Sequence, residues 1–205
     1  AVMGLDPGIR TGVKVAVVMT SGFGETGAQG KAAQERMAAA ARAAGMRLVG
    51  PNCQGLANFA TGAVANFSTV FHEMEGRDGP VAIVSQSGAC SQAIYILARQ
   101  RGLDVRHVHA TGNEADVTVA DLAAEIVKEA DVRLVLLYME AIQRPEILAQ
   151  AAEFARSRDL PIVAVKAGRT ESGRKAASSH TGALASEDRV IDAFFARHAI
   201  WRATD

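Results

Sequence analysis

The chain has 205 residues, 49% of them hydrophobic and 21% charged, which suits one generous domain or two small ones and excludes a disordered chain. Its 22 Lys and Arg balance its 22 Asp and Glu, so no general electrostatic pull draws it to nucleic acid or an anionic membrane. Aromatic residues make up 5% and cysteines number 2, leaving no stacking platform for single strands and no disulfide framework.

Neither Cys53 nor Cys90 belongs to a CxxC pair, and a reducing, cytoplasmic setting is expected. No apolar run reaches the roughly 18 residues of a membrane span, and no leader pattern opens the chain.

Along the chain, short β-branched runs alternate with Ala-rich stretches of helical period. Val13–Met19 reads as a central strand because it is nearly continuously apolar. The glycine-rich run Ser21-Gly22-Phe23-Gly24-Glu25 follows it, then a helix over about 28–44 stopped by Gly45. Met46–Val49 is the next strand, closed by Gly50-Pro51. Residues 56–79 read as irregular, and Glu75–Pro80 as a linker, which sets the expected domain boundary at 77/78.

Beyond it the rhythm is regular. Strands are expected at 81–84, 105–108, 134–138 and 162–165, with helices at 88–100, 117–129, 145–157 (opening on Pro145) and 187–197. Strands spaced by helices of this length make βαβ units on a parallel sheet. Right-handed crossovers then collect every strand-to-helix loop on one edge, where a ligand crevice is expected.

Four such loops carry candidate chemistry. Ser85-Gln86-Ser87-Gly88 can offer amides, hydroxyls and a helix N-terminus to a phosphate, or simply cap a helix. It is neither a Walker loop nor a nucleophile elbow. Thr111–Asp116 places Asn113 and Glu114 at the crevice edge, although a turn of this composition before a helix is common. Glu140 emerges from the C-terminal end of a central strand, where a carboxylate must be paired or wet. Capping or a salt bridge would also account for it.

The fourth loop, Lys166–Leu184, combines Lys166, Arg169, Arg174 and Lys175 with hydroxyls and glycines. His180 stands in a stretch without apolar pattern, unlike a core histidine. A neutral imidazole can accept a phosphoryl group if its other nitrogen is held by a carboxylate, and Glu140 is the candidate to hold it. His72, His107, His109 and His198 are less persuasive. No spacing resembles a zinc site and no HExxH occurs, so no metal site is expected.

From about residue 15 to 205 these segments resemble the NDP-forming acyl-CoA synthetases, related to the succinyl-CoA synthetase alpha subunit. The resemblance rests on Ser21–Glu25, Gly50–Cys53 with Gly55, Val84–Gly88, Gly112–Asp116, Tyr138–Glu140, Lys166–Gly168 and Ser179–Leu184. It implies an α/β fold: a truncated Rossmann-like CoA-binding region over 1–77, then a flavodoxin-like phosphohistidine domain over 78–205. It also implies that His180 carries phosphate between an acyl phosphate and ADP, with Glu140 orienting its imidazole. Ser85, Gln86, Ser87, Gly88, Ser179, Thr181 and Gly182 would bind phosphate, and Ser21, Gly22, Phe23, Gly24, Glu25, Pro51, Asn52 and Cys53 would lie along coenzyme A.

Departures from the family qualify that expectation. The first hundred or so residues of the CoA-binding domain and the ATP-grasp module are absent, so ATP or ADP with Mg would act only through an ATP-grasp partner. Ser186 stands where the family has a glycine. A small acyl substrate is expected as a partner, with self-association through an open sheet edge and no nucleic acid or membrane.

Residues 2–18 resemble instead the first hairpin of RNase H-like YqgF-type domains of Tex-type proteins. There Asp6 would be a metal carboxylate, but no later acidic motif follows. A chimera is expected, its hairpin supplying an edge strand to the first sheet. Two further readings stand beside the synthetase fragment: a recombined α/β scaffold without activity and, more weakly, a nuclease relative.

Overall fold

The apolar runs pair into two sheets in the computed structural model, which describes residues 2–5, 14–168 and 188–203. Among the described residues the smaller sheet has three strands, in the order β1 (Val2–Leu5), β2 (Lys14–Val18), β3 (Met46–Val49). β1 runs antiparallel to β2 as the outer strand, and β2 is parallel to β3. The expected edge strand is therefore present; Asp6 lies outside the described residues. Helix α1 (Ala28–Ala43) covers one face, with Met37 and Ala41 against Ala16, Val18 and Leu48.

The larger sheet has seven described strands, in the order β10 (Trp201–Arg202), β9 (Ile162–Lys166), β8 (Leu134–Met139), β6 (Val81–Ser85), β7 (Val105–Ala110), β4 (Gly55–Asn58), β5 (Ala63–Asn66). The strands from β6 to β10 are mutually parallel. Their order is that of a flavodoxin-like sheet, which reverses direction of winding between its first and third strands, here β6 and β8.

Helix α3 (Gly88–Gln100) lies on one face, and α4 (Val119–Ile126), α5 (Pro145–Ser157) and α6 (Asp188–Arg197) on the other. β6 serves both: Ala82 and Val84 pack with Ala123 and Leu148, while Val81 and Ile83 pack with Tyr95 and Ala98. Tyr95 is wholly buried, donates to the Met74 carbonyl at 3.1 Å and meets Phe59 and Phe71. Burial of each such large side chain contributes about 1.5–3 kcal/mol.

Two expectations are corrected. The segment expected to be irregular contains the β4–β5 hairpin and a short helix, α2 (Val70–Glu73). The sheet is also mixed, because β4 pairs antiparallel with both β7 and β5. The hairpin precedes the expected boundary yet is hydrogen-bonded to the larger sheet. Its Asn58 side chain turns the chain by accepting the Ala60 and Thr61 amides at 3.0 and 3.2 Å. Smaller differences lie at element ends: β7 runs to Ala110, α4 is shorter than expected, and β10 was not expected at all.

The two sheets meet through the chain between β7 and α4. The Asn113, Ala115 and Val117 amides donate to the Pro51, Gly50 and Leu48 carbonyls at 2.9, 2.9 and 3.0 Å, lacing this segment to the end of β3. Val17, Val49, Cys53 and Val117 form an apolar cluster at this seam, with Leu56 and Leu122 against it. Among the described residues no helix is long and apolar enough to cross a membrane.

Candidate functional site at the sheet switch point

The C-terminal ends of β6 and β8 deliver the Ser85–Gly88 loop and Glu140 to the point where the winding reverses, the place an open α/β sheet leaves for a ligand. A crevice of about 290 Å³ opens there. It is lined by Met19, Asn52, Cys53, Gln54, Phe67, Gln86, Ser87, Gly88, Ala89, Gly112, Asn113 and Glu140. Segments from both sheets thus share one cavity. A second cavity of about 410 Å³ lies beyond Gln86 and Asn113, with Lys31, Gln34, Glu114 and Gln143 on its walls.

The Ser85–Gly88 loop divides its work. Ser85 is fully buried: its hydroxyl donates to the Ser87 carbonyl at 2.6 Å and accepts the Ser87 amide at 3.0 Å. Gln86 is also buried, its amide committed to protein partners. Ser87 caps α3 by accepting the Cys90 amide at 3.3 Å, and it faces the crevice with Gly88 and Ala89. Of the four expected phosphate ligands in this loop, Gln86, Ser87 and Gly88 line the cavity, Gln86 with its side-chain amide already engaged by protein groups, whereas the Ser85 hydroxyl is turned inward. A Cβ on Gly88 would meet the Gln54 side chain at 2.5 Å, so this helix start is packed tightly against the crevice floor.

The glycine-rich loop Ser21–Glu25 closes on itself. The Glu25 carboxylate accepts the Gly22 and Phe23 amides and the Asn113 side-chain amide. Burial pushes its pKa up, but the Asn113 bond and the loop amides outweigh that and hold it below the ordinary carboxylate value. Gly24 donates to Gln34 Oε1 at 3.1 Å, while Ser21 and Gly22 are exposed.

In the Pro51–Cys53 loop, Asn52 donates to Asn113 Oδ1 at 3.2 Å. Pro51 is buried, and its carbonyl holds the Asn113 backbone. Asn113 therefore ties both loops of the smaller sheet to the larger one. Gly112 permits the approach: its φ is +62°, and a Cβ there would meet the Pro51 and Asn52 carbonyls at 2.4 Å. Cys53 is buried, its thiol directed at the Val18 carbonyl at 3.4 Å, and burial raises its pKa to about 11.

Glu114 is buried with a φ of +56°. Its carboxyl accepts from Thr111 Oγ1 at 2.9 Å, the Val119 amide at 2.7 Å and Gln86 Nε2 at 2.8 Å. Burial raises its pKa to about 7 against those three bonds, and the nearby Asp121 charge raises it further. Glu140 is half-buried at the crevice. Lys166, one strand over at the end of β9, is buried and donates to the Ala167 carbonyl at 2.7 Å. Burial and the Arg202 charge lower its pKa, partly countered by Asp188 and Glu140.

His180, Ser179, Thr181 and Gly182 lie outside the described residues. The expected juxtaposition of His180 with Glu140 rests on the sequence alone. Among the described residues no group of three or more His, Cys, Asp or Glu could hold a metal ion.

Sequence reasoning missed Met19, Gln54 and Phe67 on the crevice wall. Gln54 follows the Gly50–Cys53 motif directly, which was the available signal; Met19 and Phe67 gave none. His107 and His109, less persuasive in the sequence than His180, are buried on β7 away from the crevice lining, with ring nitrogens 3.1 Å apart and His107 Nε2 3.0 Å from Glu129.

Fold and crevice together define a succinyl-CoA synthetase-like flavodoxin domain, with a smaller three-stranded α/β unit packed against it. Residues 78–205 match the family model "Succinyl-CoA ligase like flavodoxin domain". The chain belongs to this family, within the NDP-forming acyl-CoA synthetases and succinyl-CoA synthetase alpha subunits.

Over 194 residues it is 36% identical to the alpha subunit of acetate–CoA ligase [ADP-forming] I of Pyrococcus furiosus, covering 95% of this chain and 41% of that one. It is 37% identical to acetate–CoA ligase [ADP-forming] of Methanocaldococcus jannaschii, over 95% of this chain and 26% of that protein. Among solved structures, the dinucleotide-forming acetyl-coenzyme A synthetase 1 of Ca. Korarchaeum cryptofilum, in complex with phosphate and ADP, superposes with a TM-score of 0.83 at 32% identity. That match covers 95% of this chain and 41% of that one. The chain therefore spans well under half the length of these relatives.

Proposed function

We propose that this chain is the portion of an NDP-forming acyl-CoA synthetase in which phosphate passes between an acyl phosphate and a histidine carrier. The observation that carries the reading is Glu140, set at the switch point beside the N-terminus of α3 in a chain of this family. His180 is the carrier. Its neutral imidazole attacks phosphorus, the bond from phosphorus to the acyl oxygen breaks, and the carboxylate leaves with the electron pair. The proton on the other ring nitrogen is held by Glu140, which stabilises the cation that develops. Ser87, Gly88 and the dipole of α3 face the phosphoryl oxygens, and Ser179, Thr181 and Gly182 supply further contacts.

The crevice suits the pantetheine end of coenzyme A. Met19 and Phe67 offer apolar surface beside the polar Asn52, Gln54 and Asn113. Ser21–Glu25 and Pro51–Cys53 would hold this group, whose thiol exchanges with phosphate at the acyl carbonyl. Return of phosphate from His180 to ADP requires an ATP-grasp partner, and a small carboxylic acid is the acyl substrate. The setting we infer is cytoplasmic.

The test is direct. The chain is mixed with an ATP-grasp subunit of an ADP-forming acetate–CoA ligase and γ-labelled ATP. An acid-labile label is expected on His180 and none in His180→Ala. An unlabelled chain beside a labelled natural alpha subunit overturns the reading.

A further inference from the structure

We infer that Glu114 and Gln86 form a relay that fixes the backbone of Glu140, making both of them positioning residues for phosphoryl transfer. This rests on the proposed function above. Gln86 Oε1 accepts the amides of Glu140 and Ala141, at 2.5 and 2.9 Å. Its Nε2 donates to Glu114 Oε2 and to the Ala141 carbonyl, both at 2.8 Å. One side chain thus satisfies three backbone groups immediately after β8, where the strand's own ladder has ended.

The amide of Gln86 works in one orientation. Turned by 180°, its NH₂ would face two N–H donors and its oxygen would face a carboxyl oxygen and a carbonyl. Glu114 reinforces the working orientation by presenting Oε2 as a second acceptor beside the Ala141 carbonyl.

Glu114 is itself held on three sides. Oε1 accepts from the Thr111 hydroxyl and the Val119 amide, and the residue keeps a left-handed φ that its surroundings enforce. Its protonation leaves the relay intact: a proton on Oε1 meets Thr111 Oγ1, whose hydroxyl turns to the Ser85 carbonyl at 3.3 Å. Oε2 remains an acceptor in either state. Glu114 stands on the wall of the second cavity rather than among the residues that line the crevice with Glu140, and it reaches the Glu140 backbone through Gln86. The Glu140 backbone is released if the relay fails, and a misplacement of about 1 Å in a catalytic group costs about tenfold to a hundredfold in rate.

The test uses Glu114→Gln in the full chain, which keeps the acceptor for Thr111 and Val119 but presents NH₂ to Gln86. Two readouts are taken: the amide NMR signals of Glu140 and Ala141, and the rate at which labelled acetyl phosphate, or ATP with an ATP-grasp subunit, phosphorylates His180. We expect both amide signals to move upfield and the rate to fall about tenfold or more, with the melting temperature little changed at pH 5, where Glu114 is largely protonated. Adding Gln86→Glu to that variant restores an acceptor to both amides and returns their signals, while the Ala141 carbonyl loses its donor and the rate recovers only in part.

Unmoved amide signals would overturn the relay. Moved signals with an unchanged rate would overturn its role in positioning. If the wild-type chain takes no phosphate while its amides respond, the proposed function falls and the positioning role with it, leaving only a hydrogen-bonded strand end.

Discussion

Asp116 accepts hydrogen bonds from Arg47 Nε at 2.8 Å and from the Leu48 amide at 2.9 Å, clamping the end of β3 to the segment that leads into α4. The carboxyl is buried while the arginine is half exposed, so the amide bond matters more to stability than the ion pair. Asp116→Ala is expected to cost about 1–3 kcal/mol by orphaning a buried N–H. Arg47→Ala should cost less than about 1 kcal/mol. Urea midpoints of the two variants check the order; equal losses would assign the stabilisation to charge.

Gly112 holds the two loops of the crevice in contact. Gly112→Ala adds a methyl group at 2.4 Å from two carbonyl oxygens at a left-handed φ. A loss of at least about 2 kcal/mol is expected, with release of the Asn52–Asn113 bond. Thermal unfolding and the amide signals of Asn52 and Asn113 report it.

Two buried groups give stability opposite pH slopes. The pKa of Glu114 rises to about 7 in the folded chain, so the folded state binds the extra proton. Its contribution is fully present below the unfolded value near 4.5 and is lost as pH climbs to about 7. Burial and the neighbouring His107 lower the pKa of His109 to about 3. That contribution is present above about 6.5 and is lost as pH falls toward 3. Glu114→Gln should therefore remove a decline in stability between pH 4.5 and 7, and His109→Leu a decline below 6.5. Each tenfold change in proton affinity carries about 1.4 kcal/mol, which urea titrations at stepped pH will resolve.

Cys53 lines the crevice yet is directed away from solvent with its thiol raised to about 11. At pH 8 about one such thiol in a thousand is ionised. Iodoacetamide should modify the half-buried Cys90 long before Cys53, as peptide mass mapping over time would reveal.

The central strands were legible because Val81–Val84, Leu134–Tyr138 and Ile162–Val165 are apolar on both faces, and α5 because Pro145 marks its first turn. The β4–β5 hairpin was not legible. Its buried positions are Gly55, Ala57 and Ala65, small residues that carry little strand preference and pack by closeness rather than bulk. At the site, strand ends predicted the convergence of Gln86, Gly112 and Glu140, since crossover topology alone requires it. The inward turn of the Ser85 hydroxyl and the burial of Glu114 were beyond reach. Both depend on which way a short polar side chain rotates once its neighbours are in place.

The stretch from Pro51 to Gln54 joins the last strand of the smaller sheet to the first strand of the hairpin, and it floors the crevice on the way. A molecule seated there presses on the only covalent run shared by β3 and β4 and on Asn113 at once. The walls of the cavity and the joint between the sheets are thus built from the same residues.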